Sequence, residues 1–165
     1  MAVMLVVVRH AKSDWSAPVS DRDRPLAGRG RRQAPATGRW IGQHCPPLDL
    51  AVVSVAARTR QTWALVAAEL DDDVDVRESE DAYTFDGRDL VELVRHLPTS
   101  VHAVALVSHN PAVEELVEAL SEEWVSMPTS ALAVIELEDW AVAGEETARL
   151  VAAGRPADDR WHTRS

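Results

Sequence analysis

Three short apolar runs, each delivering basic side chains at or just beyond its carboxyl end, constrain this chain more than any other feature. Val3 to Val8, Leu50 to Val55 and Val101 to Val107 are rich in β-branched residues and too short to be buried helices. Such runs read as strands buried on both faces, the pattern of a parallel sheet covered by helices. Arg9 and His10 follow the first run at once, the second leads to Arg58, and the third gives Ser108 and His109. If the strands are neighbours, these groups meet on one rim of the sheet, where open α/β folds place their ligand sites.

The segments between the runs carry helical periodicity. Trp63, Val66, Ala67 and Leu70 follow an i, i+3, i+4, i+7 spacing, as do Leu90, Leu93, Val94 and Leu97, and Val113, Leu116, Val117 and Leu120. A further helix is predicted from about Gly30 to His44, with Trp40 and Ile41 on its buried side and Pro35 either kinking it or starting it. Asn110 as N-cap and Pro111 at the first helical position mark another helix start. Ala131 to Leu137 reads as a fourth strand, Val74 to Arg77 and Ala148 to Ala152 as edge strands, and the chain from Asp158 onwards as frayed. Strand and helix alternate, which predicts a three-layer α/β/α sandwich with a mostly parallel central sheet. Residues 1–165 are expected to form one domain, with 139–165 as a C-terminal extension.

A formal net charge of -10 argues against a nucleic-acid or anionic-membrane partner. The apolar N-terminal stretch is too short for a signal peptide, and no segment reaches the roughly 20 apolar residues of a membrane span, so a cytoplasmic location is expected. The single cysteine, Cys45, excludes an intrachain disulfide; a monomer is expected. Against this acidic background Arg22, Arg24, Arg29, Arg31, Arg32 and Arg39 cluster in the first forty residues, compatible with one anionic substrate site. The run from Arg29 to Arg32 reads either as a solvated helix start or as a surface for an acidic protein.

Two arginines and two histidines converging on one rim would make an oxyanion pocket, because the guanidinium fork binds phosphate oxygens bidentately and keeps its charge. Arg9 and Arg58 would disfavour the protonated form of His10, leaving a neutral imidazole able to attack phosphorus and form a phosphohistidine intermediate. The arginines and a protonated His109 would stabilise charge on the equatorial oxygens. No metal or cofactor is expected, since the sequence offers neither a paired-carboxylate cluster nor a glycine-rich phosphate loop. His44, His96, His102 and His162 lack any such context. Trp15, just past His10, either walls the pocket or anchors a long loop.

Arg9-His10-Ala11-Lys12-Ser13, Ser54-Val55-Ala56-Ala57-Arg58-Thr59-Arg60-Gln61-Thr62 and Val107-Ser108-His109-Asn110-Pro111 resemble the three signatures of the histidine phosphatase superfamily. Ala11 in the third place of the first motif, with Lys12 and Ser13 after it, is similar to the small SixA-type phosphohistidine phosphatases, as is Arg24-Pro25-Leu26 with Gly28 and Gly30. The resemblance implies a phosphoglycerate mutase-like fold and a metal-independent phosphatase with His10 as the phosphorylated nucleophile. It makes Arg9, Arg58 and His109 the phosphate pocket, with Ser13 and Asn110 beside it. It maps a general acid to Asp81, with Glu80 second and Asp86 third. The implied substrate is a phosphohistidine on a protein; alternatives are a small phosphate ester, such as a nucleotide or sugar phosphate, and a non-catalytic phosphate-binding module.

Overall fold

β1 (Val3–Arg9) lies at the middle of a single seven-stranded sheet in a computed structural model that describes residues 2–164. β2 (Leu50–Ser54), β3 (Asp75–Ser79), β4 (Ala103–Ser108), β5 (Leu132–Leu137), β6 (Arg149–Arg155) and β7 (Arg160–Arg164) complete it in the order β3-β2-β4-β1-β5-β6-β7. The half from β3 to β1 is parallel, and the half from β1 to β7 is antiparallel. The sheet is therefore mixed, and the candidate residues all belong to its parallel half.

Four helices cover the two faces: α1 (Gly28–His44), α2 (Ala57–Ala67), α3 (Gly87–Arg95) and α4 (Ala112–Ser121). Alternate residues of β1 serve the two layers, as the period of a strand requires. Val6 and Val8 pack with Ile41, Trp63 and Val66 of α1 and α2. Leu5 and Val7 pack with Leu90, Val94, Leu116 and Leu120 of α3 and α4. Both faces of β1 are thus buried, which is why its sequence is an unbroken apolar run rather than an alternation.

Four local expectations are corrected. α1 starts at Gly28 and runs through Pro35, because a buried stripe of Gln33, Ala34, Thr37, Gly38 and Ile41 holds it against its neighbours despite the missing backbone donor. Asn110 does not cap α4: the helix begins at Ala112, and the Asn110 side chain instead donates to the Met127 carbonyl at 3.0 Å. The tail is not frayed at Asp158, since β7 pairs with β6 and Trp161 packs on Trp40 at 5.1 Å between ring centroids. Trp40, expected on the buried side, is half-buried between Trp161 and a stacked His44.

Gly30 sets how closely α1 approaches the loop after β1. A Cβ there would lie 2.2 Å from the Lys12 carbonyl oxygen. Gly42, exposed further along α1, has room: a Cβ would meet nothing nearer than 3.6 Å. The two positions predict opposite outcomes in urea unfolding. Gly30→Ala should cost about 1–3 kcal/mol through overpacking against backbone. Gly42→Ala should add about 0.5–1 kcal/mol, the helix-propensity difference.

Candidate active site

The register of β1 on β4 places the basic groups side by side. Arg9 is opposite Ser108, and the His10 amide donates to the Ser108 carbonyl at 3.2 Å, so His10 and His109 leave the sheet together. Their ring centroids are 5.4 Å apart. β2 ends at the same height with Ser54, and Arg58 reaches the site from the first turn of α2. His10, Arg58 and His109 are 7%, 2% and 1% exposed, an unusual depth for two titratable rings and a guanidinium.

His10 is held by a 2.7 Å hydrogen bond between Nδ1 and the Ala11 carbonyl. A carbonyl only accepts, so Nδ1 carries the proton and Nε2 keeps its lone pair. Burial lowers the His10 pKa to about 3 against the pull of that bond, with Arg58, Arg9 and Arg24 adding to the depression. The imidazole is neutral at ordinary pH, as a nucleophile must be. His109 is also lowered to about 3, first by burial and then by Arg58 and His10. A protonated His109, expected from the sequence, is thus corrected to a neutral ring. Ser54 Oγ lies 2.7 Å from His109 Nε2 and accepts from the Ala56 amide at 3.4 Å. Where the hydroxyl donates to Nε2, the His109 proton sits on Nδ1, a buried atom without a protein partner.

Arg9 donates from one terminal nitrogen to the Met127 carbonyl at 3.0 Å, and its Nε is buried without a partner. Asn110 donates to the same carbonyl, so its donor group fixes the loop that orients Arg9. Ser13 is buried and bridges to Leu26 at the foot of the loop. Lys12 and Trp15 are exposed, and the Arg24 guanidinium lies 3.6 Å above the Trp15 ring. Trp15 thus anchors its loop through Arg24.

The sequence did not single out Asp21, Tyr83, Phe85 or Ser54. Asp21 accepts from Arg58 through both its carbonyl, at 2.6 Å, and its carboxylate, at 3.1 Å. Arg24 and Tyr83 donate to the same carboxylate at 2.6 and 2.5 Å. Although burial opposes ionisation, hydrogen bonds from Tyr83, Arg24 and Arg58 hold Asp21 well below the usual carboxylate range. The chain's sole tyrosine and sole phenylalanine both pack on His109, with ring centroids at 5.4 and 5.5 Å. The chain's only Tyr and only Phe, close together in a polar loop, were the available signal.

Asp81 sits on the exposed turn between β3 and α3 and lines a cleft with Glu80, Thr84, Asp89, Glu92 and His96. Among the described residues it forms no hydrogen bond or ion pair with the basic cluster. Glu80 pairs with Arg22, and Asp86 caps α3 by accepting from the Arg88 amide. No group of three or more His, Cys, Asp or Glu suited to a metal occurs among the described residues.

Asp21→Asn removes a charge that two buried guanidiniums share. We expect a loss of about 1–2 kcal/mol in urea unfolding at neutral pH, the worth of hydrogen bonds to a charged group discounted for a carboxylate that is 43% exposed. Because the folded-state pKa is depressed, this stabilisation is present above the ordinary carboxylate pKa and is lost as pH falls toward the folded value. Wild type and variant should therefore converge in strong acid. Asp23→Asn, on the exposed neighbour, should change stability by less than about 0.5 kcal/mol.

Residues 5–82 match the family model of the histidine phosphatase superfamily, branch 1. A protein of Nakamurella multipartita described as a proposed phosphohistidine phosphatase SixA superposes with a TM-score of 0.82 at 30% identity, over 94% of this chain and 97% of that one. Another so described, from Agrobacterium tumefaciens, gives a TM-score of 0.79 at 28% identity, over 92% and 97% of the two chains. An uncharacterized protein of Mycobacterium tuberculosis is 31% identical over 159 residues, covering 87% of this chain and 96% of its own length. With motifs, register and fold in agreement, the chain belongs to the histidine phosphatase superfamily and is a phosphatase of SixA-type architecture.

Proposed function

We propose that the protein hydrolyses phosphohistidine on a protein substrate through a covalent intermediate on His10. The observation that carries this reading is the neutral His10 ring, its Nδ1 proton tied to the Ala11 carbonyl and its Nε2 free. Nε2 attacks phosphorus, and the P–N bond breaks to a substrate ring already protonated on its other nitrogen. A neutral imidazole thus leaves with the bond's electron pair, and the phosphoryl group moves from one imidazole to another. Water then attacks phosphorus, inorganic phosphate leaves, and His10 regains its lone pair. Arg9, Arg58 and the Nδ1–H of His109 face the equatorial oxygens, where fixed donors in a water-poor pocket stabilise developing charge. Ser54 is a positioning residue that sets the His109 tautomer, and Asp21 is one that holds Arg58.

A phosphohistidine needs less help in leaving than an ester, because its P–N bond is labile. That fits a site whose best carboxylate, Asp21, is held ionised by its donors. In this reading Asp81 is the remaining candidate to protonate an ester oxygen, and it matters only for esters. Half-exposed Phe85 at the His109 end offers an apolar face to a leaving imidazole. Apart from the long loop after β1, the connections around the pocket are short, which suits a protein surface better than an enclosed metabolite. A single-domain monomer acting in the cytoplasm accords with this reading; among the described residues no helix is long and apolar enough to cross a membrane.

The test is a phosphoenzyme trap with a labelled phosphohistidine peptide, quenched in base and mapped by mass spectrometry. Label on His10, stable in alkali, lost in acid and absent from His10→Ala, is the expected result. Asp81→Asn should leave turnover of this peptide within about twofold while slowing an alkyl phosphate ester by roughly tenfold or more, the lower range for loss of a general acid. Absence of both label and phosphate release from the peptide and from an aryl phosphate would overturn the catalytic reading.

A further inference from the structure

Arginines in this acidic chain are mostly neutralised by a neighbouring carboxylate, as Arg39 is by Glu69, Arg149 by Glu136 and Arg155 by Asp158. Arg29, Arg31 and Arg32 are different. All three are exposed and none is within ion-pair distance of a carboxylate among the described residues, a condition that exposed Arg77 and Arg160 share singly. Arg31 is nevertheless near enough to Asp14 to add to the lowering of its pKa, which hydrogen bonds from Ser16 chiefly cause. They occupy the opening of α1, whose first turn holds no acidic residue. That is the end of a helix where a cation is least favourable, so local stability does not account for the cluster.

The cluster adjoins the catalytic loop. Gly30 packs on the Lys12 backbone, the Ala27 amide donates to the Lys12 carbonyl at 2.9 Å, and exposed Lys12 is two residues beyond His10. Arg29 and Arg32 also line a groove of about 200 Å³ with Gln33, Arg155 and Asp158. Arg155, paired with Asp158, faces Arg9, whose pKa is lowered first by burial, raised by Glu114 and lowered by Arg155. The opening of α1, packed on the backbone of Lys12, is therefore locally positive on a molecule whose net charge is -10.

We infer that Arg29, Arg31 and Arg32 form a docking surface for an acidic patch on the phosphoprotein substrate. The inference rests on the phosphohistidine reading above and names the part of the substrate that lies outside the phosphoryl group. An acidic partner is repelled by most of this molecule and attracted at the pocket's edge, so the charge pattern orients the encounter as well as strengthening it. The alternative, a phosphoryl site indifferent to the rest of the substrate, leaves the clustering of three arginines at a helix N-terminus without a role.

The test uses two phosphohistidine peptides that differ only in flanking aspartates or asparagines. Wild type should prefer the aspartate peptide by about tenfold in kcat/KM at low salt, and the preference should shrink as salt screens exposed charges. In Arg29→Glu/Arg32→Glu the preference should vanish or invert, with the rate on a small aryl phosphate unchanged. Acidic residues suit the first turn of a helix, so the double variant is expected to fold at least as well as wild type. Binding of the unphosphorylated aspartate peptide, followed by fluorescence anisotropy, reads the surface independently of turnover and should be lost in the variant. Equal rates on the two peptides, or an aspartate preference and binding that survive the charge reversal, would overturn the docking surface. Hydrolysis of neither peptide, with binding still lost in the variant, would support the surface and overturn the phosphohistidine reading.

Discussion

A guanidinium as deeply buried as that of Arg58, 2% exposed, requires a built-in counter-charge. Asp21 supplies it, and the same carboxylate gathers Arg24 and Tyr83. Tyr83 leans on His109, Arg24 lies over Trp15, and both arginines act on His10 through space. The long loop after β1 is thereby folded around one ionic knot. Loosening that knot would release the loop, the guanidinium and the aromatic wall together.

The sheet makes the knot possible. β1 and β4 are parallel neighbours in register, so Arg9 and Ser108 are level and the two histidines emerge side by side. Helices on both faces exclude water from the strands, and the low local polarity keeps both imidazoles neutral. Arg9, Arg58 and Arg24 remain as positive charges around rings that have none. This combination suits a polyanionic phosphoryl group, which brings the charge the pocket lacks.

The sheet's parallel half and its basic rim were legible in the sequence because apolar runs ending in Arg9-His10 and Ser108-His109 are local signals. Arg58 was equally legible, four residues past a strand and at the opening of a helix. Asp21 was not, since a carboxylate in a polar loop looks solvated until Arg58, distant in sequence, is brought beside it. His109 was misjudged in charge for a related reason: its surroundings combine burial with Arg58 and His10, none of which is adjacent in sequence. Asn110 has the right identity for a helix cap, but tertiary packing on the Met127 carbonyl overrides that local preference. The tail was underestimated because β7 depends on Trp161 finding Trp40 of α1, a contact between residues far apart in sequence.

The central claim is that His10 waits as a neutral ring with its proton on Nδ1. Nitrogen NMR of histidine-labelled protein, assigned with His10→Gln, measures charge and tautomer together across pH. The account predicts a protonated Nδ1, an unprotonated Nε2 and no titration of His10 until pH falls toward about 3. A His10 that titrates near its ordinary value of 6.5, or that carries its proton on Nε2, would contradict it.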